Sequence, residues 1–80
     1  MQDRDILEQI SRLTEEEHQL ERSHIGSPLR AEELEKLRSL EVQLDQCWDL
    51  LNQRRARRLA GANPDDATVR PASVVEHFEQ

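Results

Sequence analysis

The run from Leu34 to Arg58, LEKLRSLEVQLDQCWDLLNQRRARR, constrains the fold more than any other stretch of the chain. Leu37, Leu40, Leu44, Cys47 and Leu51 recur at spacings of three and four, with Leu34 and Trp48 alongside. Residues at those spacings stack on one face of a helix. In the last turns Arg54, Arg55, Arg57 and Arg58 stand where the leucines would have continued. One helix thus changes from a surface that has to be buried to a surface that has to be solvated or paired.

Such a stripe needs a partner, and the N-terminal third supplies one. Ile6, Ile10, Leu13 and Leu20 form a narrow seam of the coiled-coil kind, with Glu17 and His24 in phase. The spacing predicts a first helix from about Arg4 to His24, with Asp3 as its N-cap, because a carboxylate there can accept a bond from a free first-turn amide. Ile25-Gly26-Ser27-Pro28 breaks it. Gly26 can adopt the left-handed conformation that ends a helix, Ser27 can cap the next, and Pro28 suits a first helical position. A connection this short makes antiparallel neighbours. The second helix is then expected from Pro28 to Ala60, stopped by Gly61 and Pro64. At 1.5 Å per residue the two would be roughly 30 and 50 Å long. Pairing outward from the loop sets Leu13 near Leu40, Ile10 near Leu44, and Ile6 near Cys47 and Trp48. Glu17 falls near Lys36, as a partly buried ion pair. The arginine turns then overhang the end of the first helix.

Beyond Gly61, Asn63-Pro64-Asp65-Asp66 reads as a turn and Arg70-Pro71 as extended chain. Ser73-Val74-Val75-Glu76 has capping-box form, and Val74, Val75 and Phe78 could make one apolar turn. A helix that short is not stable alone, so it either docks or stays disordered. The expected fold is all-α: an antiparallel two-helix hairpin, coiled-coil-like, over residues 1–61, with a longer second helix. An extended segment with a short helical turn follows over residues 62–80.

Composition narrows the classes of function. With 35% of residues hydrophobic, 35% charged and Trp48 and Phe78 as the aromatics, 80 residues suit exposed helices better than a globular core. A lone hairpin of that size is marginal, which favours self-association or a partner. The net charge of −6 disfavours nucleic acid and anionic membranes. No apolar run approaches the roughly 20 residues of a membrane span. The first residues lack the layout of a secretion signal, and the single Cys47 inside an apolar stripe fits a reducing cytoplasm.

Candidate chemistry is sparse. Glu15-x-x-His18 has the spacing of carboxylate-bridged metal bundles, but Glu15 is out of phase with the inward face. Glu41, Asp45 and Asp49 form a like-charged ladder that Arg4 and Arg12 are placed to offset. Cys47 has no activating group predicted beside it, so it reads as packing. His24, beside the loop, is expected to be part exposed. Arg54, Arg55, Arg57 and Arg58 could clamp phosphates or carboxylates, or simply answer the helix dipole and pair with Asp3, Asp5, Asp65, Asp66, Glu76 or Glu79. Trp48 is either the largest core side chain or an anchor for a partner, and a two-helix seam cannot fully cover an indole.

LEVQLDQCWDLLNQRRARR, with EEEHQL near the start and NPDDATVRP in the tail, resembles a family of short bacterial proteins of unknown function. The resemblance covers nearly the whole chain. It implies a stand-alone bacterial cytosolic protein, and it assigns no activity and no functional residue. The expectation is a non-catalytic protein-interaction module or scaffold without a cofactor, paired as a homodimer into a four-helix assembly. Trp48, Leu51, Arg54, Arg55 and Arg58 are its expected partner-binding residues. The alternatives are a metal-binding bundle using Glu15, His18 and the acidic ladder of Glu41, Asp45 and Asp49, and phosphate or nucleic-acid binding through Arg54–Arg58.

Overall fold

The computed structural model describes residues 1–76. Helix α1 spans Asp3–Arg22 and α2 spans Ala31–Leu59; a single 3-10 turn at Pro64–Asp66 and a short helix α3, Ala72–Glu76, follow. The two long helices lie against each other as a hairpin, and the tail returns along α2. The described residues include no strand. The all-α hairpin with a longer second helix and a short C-terminal turn is therefore what the chain adopts.

The starts of both long helices differ from expectation, and for a common reason. Asp3 is not the cap of α1. Gln2 holds that place, and its backbone N–H donates to the Asp5 carboxylate at 2.8 Å, which leaves Asp3 inside the first turn and free to reach elsewhere. Likewise Ser27 and Pro28 do not open α2. Arg30 does, with its N–H donating to the Glu33 carboxylate at 3.0 Å. A carboxylate three residues into the helix satisfies an amide just outside it, and in both helices that arrangement prevails over the simpler cap. The connection consequently runs from Ser23 to Arg30, with Gly26 at φ +86° turning it.

The helices lie about one turn away from the expected register. His24 meets Glu33 at the loop end and Asp3 meets Arg54 at the other, both on one register. Ile6 packs with Ile10, Leu50 and Leu51 instead of ending beside Trp48. The slide also removes the anticipated Glu17–Lys36 pair: Lys36 is exposed and no such bridge forms among the described residues. The first arginine turn is thereby covered by α1 instead of overhanging it.

Leu13 and Leu40 continue the buried seam, while Leu44, Cys47 and Ala67 pack around the main cluster. Ala67 belongs to the tail, so the core is built from three segments at this end. At Gly61, φ +74°, the N–H of Ala62 reaches the carbonyl of Arg57 (2.8 Å) and that of Gly61 reaches Arg58 (3.2 Å). This pair of bonds ends the helix and reverses the chain, and it needs a residue that tolerates positive φ.

The returning segment is extended, so its carbonyls need outside donors. Side chains of α2 supply them. Arg54 donates to the Pro64 carbonyl at 3.2 Å, Gln53 to that of Thr68 at 2.9 Å and Gln46 to that of Arg70 at 3.1 Å. Val75 of α3 is buried at the end of this track. Of the expected apolar turn of Val74, Val75 and Phe78, only Val75 is buried among the described residues: Val74 is exposed, α3 opens at Ala72 so that Ser73 lies inside it and does not cap it, and Phe78 and Glu79 lie outside the described residues.

Candidate functional site

The arginine cluster divides into two pairs. Arg54 is 6% exposed, and its guanidinium donates to Asp3 Oδ1 (2.6 Å), Asp65 Oδ1 (2.9 Å) and the Pro64 carbonyl. Arg58, one turn on, donates to both Asp3 oxygens at 2.8 Å. Asp3 is thus held by two guanidinium groups. Its pKa is lowered, first by the Arg54 hydrogen bond and then by that of Arg58. This clasp joins the start of α1, the end of α2 and the 3-10 turn. A buried guanidinium demands such complete pairing. Arg55 is exposed and Arg57 is half-buried, and neither makes an ion pair with a described residue. Two of the four cations are therefore consumed inside the chain.

The expected partner residues are accordingly split. Leu51 is 1% exposed and sits at the centre of the core, so it cannot meet a partner while the hairpin is intact. Arg54 is withdrawn for the reason just given, and Arg58 is half exposed but bound to Asp3. Trp48 and Arg55 remain on the surface, with Trp48 45% exposed. The one-turn slide accounts for this division, because it brings α1 level with Leu51 and Arg54.

Trp48 borders an open groove of about 630 Å³ on the outer side of α2, lined also by Asn52, Ala56, Arg70 and Val75. The acidic ladder ends in this groove. Asp49 accepts from Arg70 Nε at 2.9 Å and is paired with a second nitrogen of the same guanidinium; Gln53 adds a bond at 2.9 Å. These bonds, that of Arg70 foremost, lower the Asp49 pKa. The offsetting charge for the ladder is thus Arg70. Arg4 instead faces Glu8 and Arg12 bonds Gln9, because both lie on the outer side of α1. Sequence reasoning passed over Gln46, Gln53 and Arg70. The spacing of seven between the glutamines, with Asp49 between them, marks one helix face and was the available signal.

The remaining candidates are dispersed. Glu15 accepts from Arg22 at 3.2 Å and from Gln19 at 3.4 Å on an exposed face, and His18 is exposed. Among the described residues no three His, Cys, Asp or Glu side chains come together as a metal site would require. Burial raises the pKa of Cys47, which opposes the thiolate a nucleophile needs. Half-buried His24 is paired with Glu33, whose pKa is lowered first by the Arg30 backbone bond and then by His24. No helix of the described residues is long and apolar enough to cross a membrane.

Residues 2–80 match the family model described as "Protein of unknown function (DUF2630)", and the chain belongs to that family. An uncharacterised protein of Mycobacterium bovis and uncharacterised proteins of two Mycobacterium tuberculosis strains are each 53% identical to it over 53 residues. The match covers 66% of this chain and 61% of each relative, so it spans about three fifths of their length. No solved structure matches the chain.

Proposed function

We propose that this member of the family is a non-catalytic helical interaction module that self-associates through the face of α2 around Trp48. The observation that carries the reading is the indole itself. Trp48 stands 45% exposed on a helix whose neighbouring leucines are sealed against α1. Fully burying a large apolar side chain is worth about 1.5–3 kcal/mol, and the hairpin leaves much of that unrealised at Trp48. Tryptophan and arginine are also the residues most enriched among energetic anchors of interfaces. Leu51, Arg54 and Arg58 then hold the module together, and Trp48 and Arg55 meet the partner. A half-buried single thiol suits work in a reducing cytoplasm.

Sedimentation equilibrium of the wild type and Trp48→Ala tests this. The wild type is expected to associate at micromolar concentrations, and the variant to be monomeric with unchanged helix content by circular dichroism. A wild type that stays monomeric into the millimolar range overturns self-association.

A further inference from the structure

The free face of α2 has the same spacing read outward from Trp48 in either direction. Leu44 and Asn52 lie four residues away, Glu41 and Arg55 seven, and Leu37 and Leu59 eleven. At about 100° per residue all of them fall in one stripe roughly 80° wide. Of that stripe the rest of the chain leaves Glu41, Trp48, Asn52, Arg55 and Leu59 exposed, while Leu37 and Leu44 are half-buried and Leu44 also packs against the core. The seam through Leu40, Leu51 and Arg54 faces α1, and the side carrying Gln46, Asp49 and Gln53 holds the tail.

In an antiparallel pair of identical helices, positions equidistant from the two-fold axis meet. With the axis at Trp48, the two indoles face each other. Glu41 of each copy then meets Arg55 of the other, and Leu37 meets Leu59. The charges are opposite, and both are uncommitted: Glu41 and Arg55 are exposed and make no hydrogen bond or ion pair with a described residue. Leu59, 91% exposed at the end of α2, would gain an apolar neighbour. The free stripe lies about a quarter turn around α2 from α1, which is the placement of adjacent corners in a four-helix bundle.

Resting on the self-association proposed above, we infer that the partner is a second copy of this chain. It packs α2 antiparallel to α2 about a two-fold axis at Trp48, with two reciprocal Glu41–Arg55 pairs setting the register. The contact is isologous and closes at two copies. A parallel arrangement would set Glu41 against Glu41 and Arg55 against Arg55, which repels.

The test is a charge-swap series, Glu41→Arg, Arg55→Glu, an equimolar mixture of the two, and the double variant, each read by sedimentation equilibrium. Each single variant turns two attractive contacts into two repulsive ones and is expected to weaken association about tenfold. The double variant and the mixture both restore opposite charges, and are expected to associate within about threefold of the wild type. Melts by circular dichroism should be alike across the series at concentrations where all are monomeric, because neither side chain is bonded to a described residue of its own chain. Single variants that associate like the wild type, or a double variant that stays weak, overturn this register and leave self-association standing. A wild type that is monomeric throughout overturns both.

Discussion

The two ends of the hairpin are made differently. At the loop end, α1 and α2 meet alone: Leu20, Leu29 and Leu37 are only half-buried, and the connection is pinned by the His24–Glu33 contact. At the open end three segments converge. Ile6, Ile10, Leu50 and Leu51 are buried there, Ala67 closes over them, and the Asp3–Arg54–Asp65 clasp ties all three together. Two helices bury only a seam between them. A third strand of chain, even an extended one, converts part of that seam into a core. The best-buried packing therefore lies far from the turn that creates the hairpin.

The largest test of this difference is truncation within the two ends. Leu51→Ala removes a side chain with almost no exposure and leaves a cavity among Ile6, Ile10 and Leu50, so it should cost about 2–5 kcal/mol. That is a large share of the stability of any small domain. Leu37→Ala, at the half-buried loop end, should cost well under half as much. Urea unfolding followed by circular dichroism gives both values. Equal costs would mean that the seam is uniform and the open end has no special weight.

How far these ends could be read in advance follows from the same contrast. The apolar periodicity of Ile6, Ile10, Leu13, Leu40, Leu44 and Leu51 gave the helices and the inward faces, because burial against one neighbour leaves a simple repeat. Gly26 and Gly61 gave the breaks, because positive φ is a local demand on one residue. The register was not legible. It is fixed by long-range contacts, Asp3 meeting Arg54 above all, and spacing along the chain does not show which residue of one helix meets which of the other. The role of Arg54 was hidden for the same reason. In sequence it is one of four similar arginines, and only the slide that brings Asp3 level with it separates it from Arg55. The tail was illegible for another reason: its docking rests on backbone carbonyls meeting glutamine side chains, and carbonyls leave no mark on the sequence.

Acid should loosen the open end through its carboxylates. The folded pKa values of Asp3 and Asp49 both lie below the ordinary 3.8, because each carboxylate is bonded to arginine. A group depressed in the folded state stabilises it fully above the unfolded pKa, and that contribution is lost as pH falls through the folded value. Melting temperature should therefore hold steady through the neutral range and fall below about pH 4. Asp3→Asn with Asp49→Asn should start from a lower melting temperature at neutral pH and show a shallower acid limb. An acid limb of unchanged steepness would assign the loss to other carboxylates, Glu33 at the loop end being the next in line.

The smallest effect is expected from the connections themselves, and the contrast there is between the turn that joins the two helices and the turn that brings Ala67 and Val75 back onto α2. Doubling the Ser23–Arg30 connection with glycine and serine, inserted after Ser27, adds about 0.6 kcal/mol of closure entropy. It can leave His24 and Glu33 in place, since the helices are held in register by the open end. The same number of residues inserted after Ala62 lengthens the shorter link between Leu59 and Pro64. It sits, however, between Leu59 and a segment whose Asp65, Ala67 and Thr68 must each arrive opposite a set position on α2. The entropic term is about 1 kcal/mol, still small, but slack there lets the tail dissociate separately from the hairpin. Protease cleavage within residues 62–76 should accelerate after the second insertion and not after the first, while the melting temperature of the hairpin moves little in either. Faster cleavage of the tail after the loop insertion would mean that the turn at Gly26, and not the clasp around Arg54, fixes how α1 and the tail share α2.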